Sequence, residues 1–219
     1  MKEFHEILKK CNLFDDISDD ELESALACLG AKVETFEKGR TIFAEGEPAK
    51  YVGIVLEGSA QIVRNDYYGN RSIVAVIEPP HIFGESFACA EVKSLPIDVI
   101  SVKESIVMLI ESKRITSPCN NACSFHSKLI SNLLKAVAQK NLEFNRRIEI
   151  TSKRTTRDKL MTYLLIQAKM NSSSSFAVPF DRQALADYLE VDRSGLSAEI
   201  SKLRHDGIIE CKKNRFTLL

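Results

Sequence analysis

The 219-residue sequence contains no tryptophan, so any stacking platform must draw on its 11 phenylalanines and 5 tyrosines. It also has no uninterrupted apolar run of about 18 residues, which excludes a membrane helix recognisable from hydropathy. Residues 1–10 mix acids and bases without an apolar signal core. A soluble, cytoplasmic chain with no membrane partner is expected. Gly-x-Ser-x-Gly, the phosphate loop, His-x-x-x-His and Cys-x-x-Cys are all missing. No catalytic residue is therefore assigned.

The six cysteines, Cys11, Cys28, Cys89, Cys119, Cys123 and Cys211, read as reduced thiols in that compartment. Cys119 and Cys123 are four apart and would share a helix face. Pro118, Asn120 and Asn121 argue more simply for a loop leading into a helix. His5, His81, His126 and His205 stand at no ligand spacing from one another. The default for each is a surface or satisfied core position, and neither metal nor cofactor is expected.

Net charge is the last absence, because 30 basic residues balance 30 acidic ones. The balance is uneven along the chain. Residues 151–219 hold 12 Lys+Arg and 8 Asp+Glu, a net of +4. Residues 1–114 hold 13 and 20, a net of −7. A basic back behind an acidic front suits a C-terminal part that contacts phosphate.

Within that basic part, residues 178–209 read as two short amphipathic helices joined by a tight turn. Asp181 can cap the first, whose apolar stripe is Leu185, Ala186 and Leu189. Val191 fills the turn, and Asp192 can cap the second. Leu196, Ile200 and Leu203 form the second stripe, and Gly207 ends it. Small Ala186 permits a close crossing. This is the layout of a helix-turn-helix, whose second helix enters the major groove of duplex DNA. Residues 208–219 then alternate as a hairpin, or wing, with Lys212, Lys213 and Arg215 around a turn at Asn214.

The front half reads as β after a short helical start, where Ser18 and Glu21 form a capping box. Short β runs are expected at 32–36, 41–44, 51–57, 59–65, 71–77, 98–101 and 105–110. Gly39, Gly46, Gly53, Gly58, Gly69 and Gly84 punctuate them, and Tyr68-Gly69-Asn70 sits in a hairpin loop. Such punctuation suggests a roll or barrel.

The stretch from Glu37 to Gly58, with Ile82-Phe83-Gly84-Glu85-Ser86, resembles the start of a cyclic-nucleotide-binding β-roll. Together with the helix-turn-helix, nearly the whole chain resembles the Crp/Fnr family of bacterial transcription regulators. The resemblance implies an α+β chain in three parts. Residues 1–117 form a double-stranded β-roll of the cupin-like, jelly-roll kind. Residues 118–153 form a long dimerisation helix, and 154–219 a winged helix-turn-helix. It implies a cytoplasmic homodimer that binds double-stranded DNA and engages RNA polymerase. A sensor acting through protein partners is the alternative, against which the basic helix-turn-helix and wing count.

Between the domains, Ile130, Leu134, Val137, Asn141, Phe144, Ile148 and Thr151 recur at steps of four and three, a coiled-coil seam. The alternative is a helix packed only against the chain's own roll, which would explain Leu129 and Leu133 on a neighbouring face. The resemblance assigns the seam to dimerisation, and Asn141 would fix its register.

The implied effector pocket comprises Phe83, Gly84, Glu85, Ser86, Leu95, Pro96, Phe144 and Asn145. Glu85 matches the ribose-binding glutamate of relatives that take cyclic AMP. Leu95 and Pro96 fall where those relatives carry an Arg-Ser pair for the cyclic phosphate. Phe144 and Asn145 fall where they carry an adenine-contacting Thr-Ser. The nearest cation by sequence is Lys93. Cyclic AMP is therefore not expected, and control by an unidentified small-molecule or redox signal is. An apolar molecule held by Leu95, Pro96, Ile97 and Phe144 fits the residues as well. Cys11 and Cys28 are too sparse for an iron–sulfur cluster, and His81 is a weak haem ligand.

On the reading helix, Arg193 matches the family's first arginine and could take guanine O6 and N7 together. Ser194 stands where many relatives carry Glu, and Ala198 where a second Arg is common. Ser197, Lys202 and Arg204, with Lys212 and Lys213 of the wing, could take phosphates.

Overall fold

The computed structural model describes residues 2–65, 67, 71–117 and 123–219. The expected Tyr68–Asn70 loop, Cys119 and its neighbours Pro118, Asn120 and Asn121 lie outside the described residues. The chain divides into two compact units, residues 1–139 and 140–219, with the division falling inside the long helix.

The first unit opens with α1 (His5–Leu8) and α2 (Asp19–Leu29). The expected capping box starts α2: Ser18 Oγ accepts from the Glu21 amide at 3.4 Å, and Glu21 Oε2 accepts from the Ser18 amide at 3.2 Å. Eight strands follow: β1 (Lys32–Phe36), β2 (Thr41–Phe43), β3 (Tyr51–Glu57), β4 (Ala60–Asn65), β5 (Arg71–Ile77), β6 (Ile82–Phe83), β7 (Asp98–Ser101) and β8 (Ser105–Glu111). They pair as two antiparallel four-stranded sheets, in the orders β1-β8-β3-β6 and β2-β7-β4-β5. Short helices α3 (Glu85–Cys89) and α4 (Ser112–Thr116) interrupt them. This is the expected roll.

Strand β3 explains why its sequence reads as one apolar run rather than an alternation. Both of its faces are covered. Val52, Ile54 and Leu56 belong to a core shared with Leu22, Leu26, Leu129 and Leu133. Val55 faces the other core, with Phe83, Val99 and Val107. Gly53 departs from expectation, because it does not punctuate strands but sits inside β3. A Cβ there would stand 2.2 Å from the Phe83 ring, so only glycine lets that ring close the roll.

The long helix α5 (Phe125–Thr151) buries Leu129, Leu133 and Ala136 in the first unit's core. Ile130 and Val137 are half-buried, and Val137 packs on that same core. Leu134, Asn141, Phe144 and Ile148 are exposed.

In the second unit, α6 (Thr156–Asn171), α7 (Arg182–Leu189) and α8 (Arg193–His205) enclose a core with Tyr163, Leu185, Ala186, Leu196, Ile200 and Leu203. Strands β9 (Ser175–Ala177), β10 (Ile209–Lys212) and β11 (Arg215–Leu218) form a sheet in the order β10-β11-β9. The wing is thus a hairpin with a third strand attached, which the alternation over 208–219 alone does not reveal.

Candidate functional site

Helix α8 is placed by its ends. Asp181 caps α7, accepting from the Ala184 amide at 2.8 Å. Asp192 caps α8, accepting from the Gly195 amide at 2.9 Å and from the Ser194 hydroxyl. The Ser194 bond, followed by the Gly195 amide, holds the Asp192 carboxyl below its ordinary range. Behind the helix, Arg157 of α6 bridges Glu199 at 3.3 Å and Asp206 at 3.2 Å, tying the middle of α8 to its end. Gly207, at φ +68°, closes the C-terminus, where the Ile208 amide donates to Leu203 O at 3.0 Å.

This leaves one polar face free. Arg193, Ser194, Ala198, Lys202 and Arg204 are exposed and Ser197 is half-buried, while Leu196, Ile200 and Leu203 point into the core. Arg193 occupies the first position of α8. The Ser197 hydroxyl donates to Arg193 O at 2.9 Å, and that of Ser201 to Ser197 O at 3.0 Å. Lys212 and Lys213 are exposed at the hairpin, and Lys213 takes φ +56° in its turn. The Asn214 side-chain Nδ2 donates to Val178 O at 3.0 Å, so the turn is fastened to the segment after β9.

In the roll, a cleft of about 340 Å³ is lined by Glu34, Ile42, Phe43, Glu47, Lys50, Tyr51, Gly84 and Leu95, among others. Of the expected pocket residues, Gly84 and Leu95 therefore reach it. Gly84, at φ +76°, leaves no room for a side chain, since a Cβ would stand 2.7 Å from Phe43. Phe83 and Ile97 are core residues at 0% and 2% exposure, and Pro96 and Ser86 face outward. Glu85 is buried in α3, its Oε1 accepting from Ser86 Oγ at 3.1 Å. Phe144 and Asn145 belong to the second unit. Lys93 is not the cation of this cleft, contrary to expectation. Lys50 lines it, and Lys93 lines a separate, smaller one with Lys50 and Lys113. The expectation counted along the chain from Glu85, whereas Lys50 arrives from the start of β3. His81 is exposed, its Nδ1 3.0 Å from Glu78 O.

One group of residues escaped the sequence entirely. A nitrogen of the His126 imidazole and the sulfurs of Cys28 and Cys123 all lie within 4.8 Å of one another. His126 is 4% exposed and stacks on Phe125 at 5.1 Å between ring centres. Its Nδ1 has no hydrogen-bond partner among the described residues. The expectation of a satisfied core histidine is therefore half wrong, since it is core but not satisfied. An orphaned buried nitrogen costs about 1–3 kcal/mol. Cys123 and His126 stand three apart, which is a legible spacing. Cys28 is contributed by α2, far away in sequence, and only folding brings it near.

Among the described residues, no helix is long and apolar enough to cross a membrane.

Comparison with known proteins agrees with these two parts. Residues 33–121 match the model of the cyclic nucleotide-binding domain, and residues 158–219 that of the Crp-like helix-turn-helix domain. The chain is 22% identical over 209 residues to a global nitrogen regulator of Synechococcus elongatus, covering 87% of this chain and 86% of that one. It is 20% identical over 195 residues to the transcriptional activator protein FnrL of Cereibacter sphaeroides, covering 84% and 75%. A solved c-di-GMP responsive global regulator from Xanthomonas campestris shares the fold, with a TM-score of 0.55 at 14% identity over 90% of this chain and 98% of that one. With a nucleotide-binding-type roll followed by a helix-turn-helix of the Crp kind, the chain belongs to the Crp/Fnr family of transcription regulators.

Proposed function

We propose that this protein is a homodimer that reads an inverted-repeat DNA site and answers to a signal other than cyclic AMP. The observation that carries the proposal is the face of α8. Arg193 stands on its first turn, with Ser194 and Ala198 open beside it and the wing lysines nearby in sequence. That is the geometry a recognition helix needs to reach base edges while basic residues take phosphate. The exposed stripe of Leu134, Phe144 and Ile148 on α5 supports dimerisation, because large apolar side chains in helical register want a partner. As a DNA-bound regulator it acts on RNA polymerase.

The cleft argues against a cyclic nucleotide. Glu34 and Glu47 set two carboxylates against the single ammonium of Lys50. Leu95 and the outward Pro96 offer no guanidinium fork for a phosphate. A buried phosphate without such a partner is heavily penalised. The signal is instead an unidentified small molecule or a redox change, and the apolar lining of Ile42, Phe43 and Leu95 favours an apolar molecule in this cleft.

Selection of bound duplexes from a random pool tests the reading. The expected product is an inverted repeat with half-sites about one helical turn, roughly 10 base pairs, apart. Affinity should fall steeply with salt and should not change when cyclic AMP is added. Failure to enrich any repeat, or tighter binding with cyclic AMP, would overturn it.

A further inference from the structure

We infer that Cys28, Cys123 and His126 form a site for a thiophilic divalent cation of the zinc class, which fastens α2 to the first turn of α5. The donor set is the first argument. Two thiols and an imidazole are the ligands such a cation prefers. Zinc bonds of about 2.3 Å to sulfur and 2.0–2.1 Å to nitrogen place tetrahedral ligand atoms about 3.5–3.8 Å apart. Here all three already lie within 4.8 Å, so a shift of about an ångström closes the set.

The second argument is His126 itself. Its ring is buried and stacked on Phe125, and its Nδ1 finds no hydrogen-bond partner among the described residues. A ring held this way is already oriented before any ligand arrives. Charge supplies the third argument. On binding, each thiol gives its proton to solvent and the imidazole remains neutral. Two thiolates then cancel the two charges of the cation, and a neutral centre tolerates a half-buried position.

The supports of the site are in place without the metal. Glu21 of α2 accepts from Ser124 Oγ at 2.9 Å and from Lys128 Nζ at 3.0 Å. Asn132 donates to Leu13 O at 3.2 Å and to Asp15 O at 2.7 Å. The elements that carry the ligands are thus already clamped together, and the cation adds a link at one edge of the clamp. Three protein ligands leave the fourth position of a tetrahedron for water or an exogenous donor.

Cobalt(II) added to the reduced, chelator-stripped full-length protein is the probe. Thiolate-to-cobalt charge-transfer absorption and strong visible ligand-field bands should appear, saturate at one equivalent per chain and vanish when zinc is added. Cys28→Ser and His126→Ala should each abolish the bands, and Cys89→Ser should leave them intact. Circular dichroism identifies any variant that has merely unfolded. Cys28→Ser, at a half-exposed position, keeps the test decisive if His126→Ala does not fold. Absence of bands in the folded protein at excess cobalt would overturn the inference. So would bands unchanged in Cys28→Ser, iron with inorganic sulfide in the isolated protein, or a Cys28–Cys123 disulfide in protein trapped with a thiol-blocking reagent.

Discussion

Phe144→Ala offers the sharpest test of the assembly. Phe144 is 59% exposed in the single chain, with Leu134 at 68% and Ile148 at 62%. Complete burial of such a side chain contributes about 1.5–3 kcal/mol, so covering the exposed share contributes about 1–2 kcal/mol. A two-fold axis doubles this to about 2–4 kcal/mol per dimer, hence a rise in dimer Kd of roughly 30- to 700-fold. Sedimentation equilibrium over a range of protein concentrations measures it. Lys135→Ala is the control, because Lys135 is exposed on the opposite side of α5 and should leave the dimer Kd unchanged. Leu129→Ala is a second control, since it opens the roll core and should lower the melting temperature without a comparable effect on association. A monomeric unmodified protein at micromolar concentration, or a Kd that ignores Phe144→Ala, would refute the stripe as an interface.

Arg193→Ala should weaken binding to the selected site by about 1–3 kcal/mol in a titration of labelled duplex, with little change on random DNA. Equal loss on both would reduce Arg193 to a phosphate contact. Glu21 provides a pH test. Its bond from Lys128, followed by those from the Ser18 amide and Ser124, holds its carboxyl well down, at about 2 against an ordinary 4.5. A depressed folded value means that the clamp's contribution is complete above the ordinary value and is lost as pH falls toward about 2. Between about pH 6 and pH 3, the melting temperature should drop further in the unmodified protein than in Glu21→Gln, both measured in chelator by circular dichroism. Equal drops would remove Glu21 from the account.

What the sequence disclosed and what it hid divide along physical lines. The capping residues Ser18, Asp181 and Asp192 were legible because a cap is a local hydrogen bond within three residues. Strands β1, β3, β5 and β7 were legible as runs of branched and aromatic residues between turns. β6 has only two residues and β9 only three, too short to establish a period. Each exists because a longer neighbour supplies its hydrogen bonds. Gly53 was misread because a turn glycine and a glycine beneath an aromatic ring look alike until Phe83 is placed. The cleft shows the same limit, since counting from Glu85 could reach Lys93 but not Lys50. The triad of Cys28, Cys123 and His126 is the extreme case, with one ligand donated across nearly a hundred positions. The first half of α5 shares the core of residues 1–139, and Ile150 near its end shares the other.

The hydroxyl groups on α8 have a consequence for the chemistry of the bases it can face. Ser194 spends its proton on the Asp192 carboxylate, Ser197 on Arg193 O and Ser201 on Ser197 O. In this arrangement each oxygen faces outward as an acceptor, and it would have to release its helix carbonyl or carboxylate partner before it could donate to a phosphate. In the major groove such oxygens suit the amino hydrogens of cytosine N4 and adenine N6, and they are repelled by guanine O6 and thymine O4. Arg193 has the opposite polarity, since it only donates. Over the first two turns of α8, one donor is followed by a row of acceptors, a pattern that on the proposed reading would suit a guanine followed by bases that offer amino groups.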